Sequence, residues 1–171
     1  MKGEQANEDM LVGIIADTHV PKVGEALPGE VLERLRGVDL ILHAGDLVGL
    51  QVIAQLEEIA PVRAVQGNMD YPEVRDRYPE KEVMTLEGPR LGLTHGSGAP
   101  IGIERRVMEL FREADLDVAV FGHTHKALIE ERHGVLLLNP GSPNDSRFHP
   151  HKSLILLHIE DGVPRPELIY L

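Results

Sequence analysis

Five short apolar runs in this chain stop at the same kind of boundary. Leu11 to Ala16 runs into Asp17 and His19, Asp39 to Ala44 into Gly45 and Asp46, and Val62 to Gln66 into Gly67 and Asn68. Arg90 to Thr94 runs into His95 and Gly96, and the stretch VAVFGHTH, Val118 to His125, ends in Gly122, His123, Thr124 and His125. Short runs rich in β-branched and aliphatic residues, closed by a small turn residue, read as buried strands. Between the first three lie helical patterns. Leu27 to Gly37 has Pro28 near its start and Gly37 as a stop, and Leu50 to Ala60 carries Val52, Leu56 and Ile59 on one face before Pro61 ends it. Strands alternating with helices predict a parallel sheet, whose strands all end at the same edge. A donor at each strand end is then a donor at one place, the edge where such sheets bind their ligands.

The second half is hairpin-like. Glu82 to Leu86 and Arg90 to Thr94 flank the turn signal Glu87, Gly88, Pro89; Ala127 to Arg132 and Val135 to Leu138 flank His133 and Gly134; Ser153 to Ile159 and Pro166 to Tyr170 flank Asp161 and Gly162. One further helix is expected before Val118, with Ile103, Val107, Leu110 and Phe111 as its apolar stripe. The class is α/β. At 171 residues and 42% hydrophobic content the chain suits one domain, expected over residues 10–171 after a loose polar tail, Met1 to Asp9.

Charge narrows the function. Twenty-eight acidic against 17 basic residues give a net charge of -11 with no Lys/Arg cluster, the opposite of a nucleic-acid footprint. No cysteine means no disulfide framework and no thiolate metal site, which fits a cytoplasmic setting. No apolar run approaches the roughly 18 residues of a membrane span, and the polar start lacks the apolar core of a signal peptide.

The strand-end donors Asp17, His19, Asp46, Asn68, His95, His123 and His125 comprise two carboxylates, one amide and four imidazoles. That set is too large for one tetrahedral site and suits two ions that share a bridging ligand. Two divalent ions less two aspartate charges leave a positive cluster, attractive to phosphate even in an acidic protein. Such a pair can clamp a phosphoryl group and activate a bridging hydroxide, so no Ser or Cys nucleophile is required. Oxygen and nitrogen donors without thiolate favour Mn²⁺, Fe or Zn²⁺ over softer ions, and ligand type alone does not choose among these; Mn²⁺ is the expected ion, with Fe, Zn²⁺, Ni or Co as alternatives.

The motifs D-x-H at Asp17 to His19, GD at Gly45 and Asp46, GN at Gly67 and Asn68, HG at His95 and Gly96, and GHTH at Gly122 to His125 resemble those of the calcineurin-like metallophosphoesterases. Within that superfamily the chain is similar to the small single-domain phosphodiesterases, the branch related to the retromer subunit Vps29. The resemblance runs from Leu11 to about Arg147. It implies a four-layer αββα sandwich of two mixed sheets flanked by helices, and a metal-dependent phosphodiesterase that hydrolyses small phosphate esters. It places Asp17, His19 and His125 on one metal, Asn68, His95 and His123 on the other, and Asp46 between them, with Asp46, Asn68 and His95 also at the reaction centre. The resemblance also implies a homodimer or homotetramer.

Where much of the superfamily has Gly-Asn-His, this chain has Gly67, Asn68 and Met69. Methionine cannot protonate a leaving group, so the expectation is a slow enzyme, or one suited to leaving groups that need no proton; simple gap filling by Met69 is the alternative. Asn139, Ser142 and Arg147 fall in a loop resembling the family's NPGS motif, and Arg147 is a candidate contact to the substrate phosphate. His43 is expected to be packed or to orient a ligand, and Asp70 and Tyr71 to line the substrate mouth. Two rival functions stay open, a Vps29-like interaction scaffold and a phosphomonoesterase.

Overall fold

The computed structural model describes residues 8–171. Most of the expected tail lies outside the described residues; Glu8 and Asp9 are exposed and lead into the first strand. Ten strands and four helices follow in the order β1 (Met10–Ile15), α1 (Gly29–Arg34), β2 (Leu40–His43), α2 (Gln51–Glu57), β3 (Val62–Ala64), α3 (Pro72–Arg77), β4 (Lys81–Thr85), β5 (Arg90–Thr94), α4 (Ile103–Leu110), β6 (Val118–Val120), β7 (Leu128–Arg132), β8 (Val135–Asn139), β9 (Ser153–Glu160) and β10 (Val163–Tyr170).

The strands form two mixed five-stranded sheets, ordered β10-β9-β1-β2-β3 and β4-β5-β6-β8-β7. In the first, β1, β2 and β3 run parallel, as the βα alternation predicts, and β9 and β10 add an antiparallel hairpin at the β1 side. In the second, β5, β6 and β8 run parallel between the antiparallel edge strands β4 and β7.

Strand alternation explains the layering. Val12, Ile14 and Ala16 of the β1 run point one way and, with Leu40, Leu42 and Ala44, meet Leu91, Leu93, Val118, Val120 and Leu138 of the other sheet in a buried inter-sheet core. The opposite faces carry Ile15 and Ile41, which pack under Val31 and Leu35 of the α1 region and Val52, Ile53 and Leu56 of α2. Ile103, Val107 and Phe111 from the α4 region cover Ala119, Phe121 and Leu137 outside the second sheet. The result is the four-layer αββα sandwich. Leu110 departs from its expected place: the buried stripe is Ile103, Val107 and Phe111, and Leu110 sits round the side of the helix, 44% exposed.

The short helix α3 was not apparent in the sequence pattern. It starts at Pro72, whose fixed φ suits a first helical turn, and buries only Val74, too little for a helical stripe.

Candidate metal centre

The loops after β1, β2, β3, β5 and β6 bring all seven strand-end donors to one edge of the sandwich. The Nε2 atoms of His19 and His125 lie 3.2 Å apart, with Asp17 Oδ1 at 3.8 and 3.5 Å from them. Asp46 Oδ2 lies 3.6 Å from His19 Nε2 and 3.3 Å from His95 Nε2. Asn68 Oδ1 stands 3.1 Å from His95 Nε2 and 3.2 Å from His123 Nδ1. Asp17, His19, Asp46, His95 and His125 are buried, His123 is half-buried, and Asn68 is exposed.

Each carboxylate divides its work. Asp17 Oδ2 accepts from the backbone N–H of His123 at 2.9 Å, while Oδ1, buried beside three imidazoles, has no hydrogen-bond partner. Asp46 Oδ1 accepts from Met69 N–H at 2.8 Å, which leaves Oδ2 facing both His19 and His95. Carbonyls orient two of the rings. His95 Nδ1–H donates to Ala44 O at 2.7 Å, and His123 Nε2–H donates to Gly98 O at 2.8 Å, so in the neutral rings the opposite nitrogens, on the Asn68 side, are the ones left to bind a cation. An unpartnered buried carboxylate oxygen and converging imidazole nitrogens are costly without a cation and suited to one. The donor set therefore fits divalent metal.

This arrangement is held against local backbone preference. Asp17, His19, Asp46, His123 and His125 all have left-handed φ values, between 50° and 73°, a region non-glycine residues enter at a cost of roughly 1–3 kcal/mol each. Gly122 is required by closeness: a Cβ there would lie 2.9 Å from both Ala16 Cβ and Asp17 Oδ2. The NPGS loop braces the turns. Asn139 Nδ2–H donates to Gly122 O at 2.9 Å and to Thr124 Oγ1 at 3.1 Å, Ser142 Oγ–H donates to Asp17 O at 2.8 Å, and Asn144 Nδ2–H donates to Thr18 O at 2.7 Å. Arg106 on α4 holds the neighbouring loop through the carbonyls of Ser97, Ala99 and Ile101, and with it the Gly98 carbonyl beneath His123.

His43 is fully buried, its Nε2 3.0 Å from Thr18 Oγ1. Burial and the neighbouring His95 push its pKa down to about 3, so it is a neutral packed ring behind the DTH turn. Asp70 does not line the mouth as expected. It is buried and accepts from the N–H groups of Val48 and Gly67, both at 2.6 Å, stitching the loops after β2 and β3 together. Tyr71 is exposed beside Lys22, whose Nζ lies 5.6 Å from its ring centre. Asn144 and Asp145 were missed in the sequence; both follow the NPGS stretch, and side-chain amides and carboxylates in such a loop commonly tie down adjacent backbone. Arg147 spends much of its planar fork on Asp145, with Nε at 2.9 Å from Oδ1 and a terminal nitrogen at 2.8 Å from Oδ2, yet it still lines the cleft over the donors.

Without metal, burial works against a charged His95, but its hydrogen bond to Asp46 and the charges of Asp17 and Asp46 outweigh this and raise its pKa to about 9. A metal ion must displace that proton. Metal affinity is therefore expected to rise with pH, by about tenfold per unit below pH 9 for one proton released. Calorimetric titration with Mn²⁺ at several pH values, in buffers of different ionisation enthalpy, measures both affinity and proton release. A pH-independent affinity with no proton release would show that His95 binds no metal or is already neutral.

The chain matches the calcineurin-like phosphoesterase superfamily domain over residues 10–162. It is 40% identical over 160 residues to a probable metallophosphoesterase of Methanothermobacter thermautotrophicus, covering 94% of this chain and 92% of that one. It is 29% identical to a phosphodiesterase of Methanocaldococcus jannaschii, over 77% of this chain and 83% of the relative. Among solved structures, Vps29 of Entamoeba histolytica complexed with Zn²⁺ superposes with a TM-score of 0.75 at 30% identity, covering 94% of this chain and 99% of that one.

Proposed function

The chain belongs to the calcineurin-like phosphoesterase superfamily, and from that premise we propose that it is a metal-dependent phosphodiesterase acting on small phosphate esters at a binuclear centre. The observation that carries this reading is Asp17 Oδ1, a buried carboxylate oxygen with no partner, set among His19, His95 and His125. Asp17, His19 and His125 would hold one ion and Asn68, His95 and His123 the other, with Asp46 Oδ2 shared. Mn²⁺ suits these donors, and the Zn²⁺ in the amoebal Vps29 is an alternative that the same ligands accept.

Two ions held there would supply Lewis acidity and an activated water for attack on phosphorus. The chain's own residues supply position. His95 and His123 are fixed by carbonyls, and the two aspartates by backbone N–H groups, so the site need not reorganise around a phosphoryl group. The cleft above the donors, about 530 Å³, admits a small ester and is lined on one side by Lys22, whose ammonium pairs with no carboxylate among the described residues.

The scaffold alternative rests on the Vps29 relatives. Full retention of the donor set favours the enzyme. Met69 separates the mechanisms. Its side chain is 40% exposed and lines the cleft, so it does not fill a gap in the core, and it offers no proton to a departing alkoxide. The test is a series of phosphodiesters of rising leaving-group pKa, assayed with metal-stripped protein to which each divalent ion is added back, for the native protein and Met69→His. Native rates should fall steeply along the series. Met69→His should raise the rates of poor leaving groups more than good ones, by up to the roughly 10²–10⁴-fold of general acid catalysis and less if the new ring is poorly oriented. Equal slopes at equal metal content would mean that another group supplies the proton, and no turnover with any ion would favour the scaffold.

A further inference from the structure

Two large apolar side chains, Phe148 and Met69, stand in the largely polar lining of the cleft. Phe148 is 70% exposed and Met69 40%, and both line the same opening as Pro100 and the metal-binding histidines. Phe148 is not a loose side chain. Its ring lies 4.9 Å from that of His125 at 77°, and the Arg147 guanidinium stands 5.5 Å from its centre. Arg147 is itself anchored on Asp145, which is buried, and the backbone N–H of Asp145 donates to Ser142 Oγ at 2.9 Å, the same hydroxyl that donates to Asp17 O. Contacts that run from buried Ser142 and Asp145 through the exposed Arg147 thus hold an aromatic ring at the lip of the cleft, beside His125, with most of its surface in solvent.

The charges are arranged to match. Asp145 neutralises Arg147, so the Phe148 side of the cleft offers an apolar surface backed by a compensated ion pair, whereas Lys22, in the lining of the same cleft, pairs with no carboxylate among the described residues. An anionic phosphoryl group anchored at the centre would place its ester substituent against Phe148 and Met69. An aromatic ring face and a methionine thioether both gain more from a flat aromatic ring than from an alkyl chain.

We propose that this cleft selects phosphate esters bearing a planar aromatic substituent, seated on Phe148 with Met69 as the second wall. The inference rests on the phosphoesterase reading, because the phosphoryl group is what anchors the substrate. Arg147 is then a positioning residue for the ring of Phe148. A small aryl group and a nucleobase share the required chemistry, and the test distinguishes them.

The experiment measures binding to Mn²⁺-loaded protein by calorimetry, without turnover, for two ligand pairs: methylphosphonate against phenylphosphonate, and ribose 5-phosphate against adenosine 5′-phosphate. The aromatic member of at least one pair should bind roughly 5- to 100-fold more tightly, the range expected for one stacked ring. A preference confined to the first pair identifies a small aryl substituent, and one confined to the second a nucleobase. Phe148→Ala should bring the favoured pair to near parity, and Phe148→Trp should keep the preference; the exposure of the side chain makes both variants compatible with the fold. Equal affinity within both pairs overturns the inference alone, as does a preference that survives Phe148→Ala. Failure of all four ligands to bind loaded protein overturns it together with the functional reading.

Discussion

Asp46→Asn protein is expected to lose both metal ions at once. Met69 N–H donates to Asp46 Oδ1, so an asparagine amide will turn its oxygen to that donor and leave its NH₂ at the position of Oδ2, facing His19 and His95. An amide NH₂ has no lone pair for a cation. The substitution therefore replaces the oxygen that both halves of the site share with a group that repels metal, while the bulk and the backbone hydrogen bond stay the same. Affinity at both positions should fall by more than the 10- to 100-fold typical of a residue that only supports ligands. Metal content after dialysis against limiting Mn²⁺ measures it. If one position empties and the other stays full, Asp46 does not bridge.

His123→Ala should reduce turnover by about 10²–10³-fold or more, the loss typical when a group stabilising transition-state charge is removed. The fold should survive. His123 is half-buried in a turn after β6, and its contribution to Asp17 is made by the backbone N–H, which alanine retains. What disappears is Nδ1 beside Asn68 Oδ1 and the tie from Nε2–H to Gly98 O. Inorganic phosphate, which the positive charge of two bound ions would attract, should inhibit the native protein competitively. Turnover by His123→Ala protein at the native rate would place the activity elsewhere.

The donors were legible in the sequence because each closes an apolar run, and parallel strands carry such endings to one edge. His19, His95 and His125 could be read this way although 30 to 106 residues separate them along the chain. The two-sheet layering was carried by the family resemblance, since strand alternation alone does not say which faces meet. What stayed hidden depends on single contacts. Asp70 reads as a cleft residue by its place after Asn68, but its carboxylate turns inward to two backbone N–H groups. Arg147 reads as a phosphate contact by its charge, but its pairing with Asp145, two residues away, is a contact that no sequence pattern announces. Helix α3 has one buried apolar residue, and no periodicity can rise from one position.

The binuclear account is tested most directly by anomalous scattering from crystals of Mn²⁺-loaded protein, with elemental analysis of the same sample. Two Mn²⁺ ions per chain are expected, one among Asp17, His19 and His125, the other among Asn68, His95 and His123, with Asp46 Oδ2 between them. A single tetrahedral ion, or none at saturating metal, would contradict it.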